Sequence, residues 1–325
     1  MDNSLCRDVC QALINDNIAL FKNSEVNLVN NVVLYPKEII IINKSLKCPF
    51  QTISCPTVLI LAIVYEAVNC VEYMLENCSP NLGITVQGWY PIHYAASIGN
   101  YKCLQLLLQT QFYQENISIP IAEQHILENM RSTTALHVAV TNRCYAQAIM
   151  LISELPEIKY FSDENKDNDR LANEAFQSCD VSQLSSYGNS PLHIAAFLGD
   201  GDMFEILMNS APDLSVLNKD KKTPLDIAKQ RKKTNVISLI EENSPRSLDE
   251  LKSKFFTQDE QYTLKNTKNI IELSEDIERL TGVIETMKSR IAELEAKNST
   301  KSQTEYCDKC GNILLNGTKC PVCDE

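Results

Sequence analysis

Ser190-Pro191-Leu192-His193-Ile194-Ala195-Ala196 decides the fold of this chain, because the same phrase stands at Tyr90-Pro91-Ile92-His93-Tyr94-Ala95-Ala96. Shorter forms recur at Thr134-Ala135-Leu136-His137-Val138-Ala139 and at Thr223-Pro224-Leu225-Asp226-Ile227-Ala228. Self-similarity at a regular period marks a repeat architecture, in which each unit buries its apolar face on its neighbour. Such a stack requires no active-site cleft, so the phrase predicts a binding protein and no enzyme.

Each residue type in the phrase has a physical role. Pro91, Pro191 and Pro224 suit the first turn of a helix, where the missing N–H would be unpaired anyway. Ser190 and Thr223, just before the proline, supply a capping oxygen for the free amides of that turn. The paired alanines keep the helix thin, so that neighbouring helices approach closely. Gly99 and Gly199 follow, where the chain must turn with a positive φ. A second helix is then expected, with Leu104, Leu107 and Leu108, or Phe204, Leu207 and Met208, as its apolar stripe.

Equivalent positions fall at Leu59, Ile92, Leu136, Leu192 and Leu225, spaced 33, 44, 56 and 33 residues apart. Two spacings equal the ankyrin period, and on these residues the chain resembles the ankyrin-repeat family. The resemblance implies a mainly α solenoid of about five helix-turn-helix repeats over residues 53–243. It also implies that His93, His137 and His193, at one repeat position, tie each repeat to the next loop through hydrogen bonds. Repeat symmetry holds these histidines about 10 Å or more apart, which argues against a shared metal. The first unit, from Thr57, has Ile60 for the histidine and Glu66 for the glycine; the third has Arg143 at the glycine position, and the last has Asp226 and Lys232. End units of an array are expected to be atypical. Residues 1–52 match no repeat, and Leu5, Val9, Leu13 and Leu20 predict an amphipathic helix acting as an N-terminal cap. Ile39-Ile40-Ile41-Ile42 reads equally as helix or strand. The excess spacing places insertions at 109–131 and 153–187, where the family's hairpin loops lie. The second is rich in acidic and polar residues from Ser162 to Asp169, and reads as a disordered loop or as a partner contact.

The chain has 325 residues and a net charge of −12, unevenly spread. Residues 1–218 carry 11 basic and 23 acidic side chains, whereas 219–233 carry seven basic and two. A predominantly acidic body suits nucleic acid poorly, and only the 219–233 patch invites that idea. No apolar run is long enough to span a bilayer, and no secretory signal is apparent at Met1-Asp2-Asn3-Ser4. The odd total of thirteen cysteines, nine of them scattered singly through the first 179 residues, argues against a disulfide framework and for a reducing compartment, so a cytoplasmic location is expected, with the nucleus as the alternative.

Beyond the repeats, a linker is expected over 244–267, and then the period changes to seven. Ile270, Ile277, Ile284 and Ile291 take the a positions and Leu273, Leu280, Met287 and Leu294 the d positions. Isoleucine at a with leucine or methionine at d predicts a coiled coil over 268–298, pairing as a parallel homodimer. The alternative is one helix folded back on the repeats.

The C-terminal segment, 305–325, carries Cys307-x-x-Cys310 and Cys320-x-x-Cys323. Two such knuckles are the spacing of a four-thiolate zinc site. With the Asn316-Gly317 turn between them they resemble a zinc ribbon, a small β-hairpin module holding one structural Zn²⁺ ion. About twenty residues cannot bury a core, so metal binding has to supply most of the folding free energy.

Together these features predict a scaffold or adaptor that holds a protein partner in the groove and on the loop tips of the array. Gln87, Gly88, Trp89, Tyr187, Gly188, Asn189, Lys221 and Lys222 are the expected contacts, with Trp89 either an exposed aromatic anchor or packed under the adjacent insertion. Two alternatives use the zinc module: a ubiquitin-ligase-type adaptor, and a nuclear regulator touching nucleic acid with help from the basic patch.

Overall fold

The computed structural model describes residues 3–23, 38–40, 52–98, 100–122, 132–153, 178–257, 279–280, 282–292, 305–306, 309–310 and 313–314. They fall into two units, Met1–Gln261 and Tyr262–Glu325.

The first unit is a stack of helix pairs. Inner helices α3 (Val58–Val64), α5 (Pro91–Ala96), α8 (Ala135–Thr141), α10 (Pro191–Leu198) and α12 (Pro224–Gln230) pack in sequence order. Their outer partners are α4 (Val68–Asn77), α6 (Lys102–Leu108), α9 (Tyr145–Ile152), α11 (Gly201–Met208) and α13 (Thr234–Glu242). Capping sets where the inner helices start. Thr57, Thr134, Ser190 and Thr223 each accept a hydrogen bond from the amide three residues on, satisfying a donor the helix leaves open. Inside, α3 is buried along its whole length, as are Leu136, Ala139, Leu192, Ala195 and Ala196. The small residues let neighbouring inner helices close on one another.

The turn from inner to outer helix takes a left-handed residue in four repeats: Glu66 at φ 58°, Arg143 at 56°, Gly199 at 68° and Lys232 at 55°. Only one is glycine. The turn geometry is therefore set by the stack, and each non-glycine residue there accepts about 1–2 kcal/mol of strain.

At the N-terminus, α1 (Asn3–Ile14) covers α3 and α2 (Ala19–Asn23) packs on α1, with Cys6, Val9 and Leu13 fully buried. Asp16 clasps this pair to the array: its carboxylate accepts from the Cys70 and Asn69 amides at the start of α4 and from Asn69 Nδ2. Ile39 and Ile40 of the isoleucine run lie in a strand. β1 (Glu38–Ile40) pairs antiparallel with β2 (Thr52–Ser54), Ile39 opposite Ile53. The first insertion begins with α7 (Gln111–Glu115), pinned by buried Tyr113, whose hydroxyl donates to the Leu82 carbonyl at 3.1 Å. Residues 123–131 and 154–177, the end of the first insertion and most of the second, lie outside the described residues.

The segment expected to be a linker carries a helix. α14 (Leu248–Phe255) follows α13, is capped by Ser247, and packs on outer helices α9 and α11. Leu251 and Phe256 are buried, Phe255 stacks on Tyr145 with ring centroids 4.4 Å apart, and Phe256 meets Tyr101 edge-on at 5.0 Å. Arg246 bonds both Glu205 and Asp202, and Lys254 bonds Asp202 at 2.6 Å. Partial burial alone would raise the Asp202 carboxyl; the hydrogen bonds from Lys254 and Arg246 outweigh it and hold the group below the ordinary carboxylate range.

In the second unit residues 282–292 are helical. β3 (Glu305–Tyr306) pairs antiparallel with β4 (Ile313–Leu314), Tyr306 opposite Ile313.

Candidate partner-binding surface

The loops that lead into the inner helices form one edge of the array. At the first, Val86 and Trp89 exchange both backbone hydrogen bonds across Gln87 and Gly88, whose φ values of 50° and 79° make a tight turn. Gly188, φ 70°, closes the equivalent loop at Ser185–Asn189, and Lys221, φ 55°, the next at Asn218–Lys222.

Two histidines lock these loops in place. His137 Nε2 lies 3.1 Å from the Asn189 carbonyl and His193 Nε2 the same distance from that of Lys222. Their Nδ1 atoms accept from the Thr134 and Ser190 amides, so Nε2 carries the proton and donates to the following loop. His93 Nδ1 accepts in the same way from Tyr90, and its ring faces the backbone of Ile119 and Thr133 in the loop leading to the next repeat. Burial drives all three imidazoles towards neutrality: His93 to about 3, His137 to about 4, and His193 in the same direction. Asp226 keeps half of the pattern. Its carboxylate accepts from the Thr223 amide and hydroxyl and makes no forward link among the described residues.

The expected contact residues divide. Trp89 is fully buried, its ring 5.3 Å from that of Tyr94, and Gly88 is buried with it. The reading of Trp89 as an exposed anchor is therefore corrected. The insertion crosses over the first loop, with the Ala122 amide donating to the Gly88 carbonyl at 2.9 Å. Gln87 is only partly exposed. Asn189 is spent on structure, its carbonyl taken by His137 and its Oδ1 by Asn218. Tyr187 and Lys221 stand open to solvent, Lys222 partly so, and Gly188 is buried behind them.

The sequence reading missed three exposed apolar residues at this end of the array: Leu184, Leu217 and Phe197. Leu184 and Leu217 are 33 residues apart, so the repeat period itself links them. Phe197, at the end of α10, is 47% exposed, and the Arg231 guanidinium lies 4.1 Å from its ring centroid. Its signal was its place, an aromatic directly after the paired alanines.

Of the expected dimer seam, Leu280, Ile284, Met287 and Ile291 are described, and all four are exposed. Ile270, Leu273, Ile277 and Leu294 lie outside the described residues, as do Cys307, Cys320 and Cys323. Cys310 is an exposed thiol in a turn between β3 and β4. Among the described residues no group of three or more metal-binding side chains converges, and no helix is long and apolar enough to cross a membrane.

A stack of capped helix pairs with a projecting loop edge defines the class: a helical repeat solenoid. Comparison with known proteins supplies the family. The model for ankyrin repeats in three copies matches residues 17–119 and 59–162, and the single ankyrin-repeat model matches 187–219. Together they span more than half of the chain, which belongs to the ankyrin-repeat family, and its repeats are protein–protein interaction modules. The match begins at residue 17, inside the segment expected to be a cap. A solved structure described as EF0377, an ankyrin repeat protein, is similar over 72% of this chain and 96% of its own, with 13% identity and a TM-score of 0.45.

Proposed function

We propose that this protein is an adaptor: the loop edge and inner helices of the array hold a protein partner, the heptad helix pairs two copies in parallel, and the four C-terminal cysteines bind one structural zinc ion. The observation that carries the dimer is the row of bare apolar side chains on the second unit. Leu280 is 62% exposed, Ile284 51%, Met287 62% and Ile291 55%. They fall at alternating d and a positions, the row a parallel partner helix covers. Val283 is exposed as well, flanking that row.

The zinc reading rests on spacing, with support from the strand pair. β3 and β4 bracket Cys307-Asp308-Lys309-Cys310, as strands flanking a knuckle would. Zinc bound by four thiolates leaves no open coordination position, so its role is to hold the segment folded.

Sedimentation of the full chain tests the reading. The protein is expected to sediment as a dimer, and Ile284→Asp with Met287→Asp as a monomer with an unchanged helical spectrum. A wild-type monomer at tens of micromolar sinks the coiled coil. Metal analysis on protein kept reduced should give about one zinc per chain, lost in Cys307→Ser with Cys310→Ser. Finding none removes the zinc module.

A further inference from the structure

The closing repeat differs in charge from everything around it. Lys219, Lys221, Lys222, Lys229, Arg231, Lys232 and Lys233 face only Asp220 and Asp226 within residues 219–233, a balance of +5 in a chain of −12. One of the two carboxylates, Asp226, is occupied in capping α12. Lys229 reaches Glu241 at 3.9 Å. Among the described residues, Lys219, Lys221, Arg231, Lys232 and Lys233 have no carboxylate within ion-pair distance.

Lys219, Lys221, Lys222 and Arg231 are joined into one surface. At the loop edge, Gly188 beside exposed Tyr187 abuts the backbone of Lys219, so the two loop tips touch. Lys222 Nζ donates to Gln230 Oε1 at 2.8 Å, which connects the loop to the end of α12. The next residue, Arg231, lies over the Phe197 ring. The surface therefore runs from Tyr187 and Lys221 through Lys222 to Arg231 and Phe197, with positive charge along it and an aromatic residue at each end.

We infer that this surface takes an acidic peptide: an Asp/Glu-rich segment of a partner protein with an apolar side chain that lies against Phe197. The inference rests on the adaptor reading and names the chemistry of its partner. Carboxylates in the peptide supply what Lys219, Lys221 and Arg231 lack, and Arg231 can bind one bidentately without leaving the ring. The surroundings decide between a peptide and a nucleic acid. The other described residues of the first unit carry seven basic and 16 acidic side chains, a balance of −9. At physiological salt charges act over about 8 Å. A long phosphate backbone leaving the patch therefore runs onto like charge, whereas a short acidic segment ends within it.

A random-peptide library selected on the full chain, followed by photo-crosslinking of the selected peptides, tests this. Expected are peptides enriched in Asp and Glu with one aromatic or aliphatic residue, crosslinked at Tyr187, Lys222 or Phe197. Their binding should weaken at least about tenfold in Lys221→Glu with Arg231→Glu. It should weaken severalfold in Phe197→Ser, an exposed change that leaves the fold intact. Peptides that crosslink to the same residues without acidic enrichment overturn this inference and leave the adaptor reading standing. Crosslinks elsewhere, or none, overturn both. Displacement of the peptides by a short DNA or RNA strand overturns the inference in favour of nucleic acid.

Discussion

Acidification should loosen the repeat array through its buried histidines before it reaches the ordinary carboxylate range. His93 and His137 are fully buried and held neutral, with pKa values of about 3 and about 4. In the unfolded chain both return to about 6.5. Between these values the unfolded state binds protons that the folded state refuses, so stability is complete above about pH 6.5 and falls as the pH drops. At about pH 5 the gap is some 1.5 pH units, or about 2 kcal/mol for each of the two histidines. Together they remove about 4 kcal/mol, a large share of ordinary domain stability. His193 acts in the same direction. The chain has only four histidines, and Asp202, whose pKa is lowered, gives up its contribution below the carboxylate range. Urea denaturation followed by circular dichroism at about pH 7.5 and about pH 5 measures the loss. His137→Gln keeps a donor for the Asn189 carbonyl and cannot be protonated, so its loss should be smaller by about 2 kcal/mol. Equal pH dependence in wild type and variant would refute the reasoning.

The outer-face contacts of α14 give a second test. Arg246→Ala leaves nearly buried Glu205 without its guanidinium and should cost about 1–2 kcal/mol, the pair being partly open to water. Faster amide exchange in Leu251–Phe255 reports it; unchanged exchange there means the contact is ornamental. Glycine substitutions separate loop strain from side-chain crowding. In Gly188→Ala the new methyl group lies 2.7 Å from the Lys219 amide nitrogen, so backbone must shift, whereas in Gly199→Ala it meets only the flexible Lys233 side chain. Both positions have positive φ, so both variants should lose about 1 kcal/mol and Gly188→Ala clearly more; the reverse order in thermal melts counts against the close loop contact.

The repeats were legible because their signals are local. Proline, the capping hydroxyl and the histidine of α10 lie within four residues and act on one helical turn, so Ser190–His193 announces its own structure. Asp226 and Ile60 could also be read as end-unit departures. What stayed hidden depends on distant partners. The α14 cap was written as Ser247-Leu248-Asp249-Glu250, yet nothing local says that Phe255 finds Tyr145 or that Arg246 finds Glu205. Trp89 is the same problem reversed. Its own turn is surface-like, yet its ring is buried against Tyr94 and His93, and the insertion returns at Ala122 to bond the neighbouring Gly88. Left-handed Glu66, Arg143 and Lys232 show a stack imposing a conformation their side chains disfavour.

The return of α14 to α9 and α11 also governs how the array bears load. The last repeat, α12 and α13, packs on α10 and α11 before it, and the chain that leaves it is anchored through α14 on α9 and α11. Tension applied to the chain beyond residue 257 therefore reaches the third and fourth repeats through Leu251, Phe255 and the Arg246 contacts before it reaches the fifth. The terminal unit of a simple stack is the first to peel away under pull. Here it is mechanically bypassed, and the basic surface it carries stays in shape while the tail is under strain.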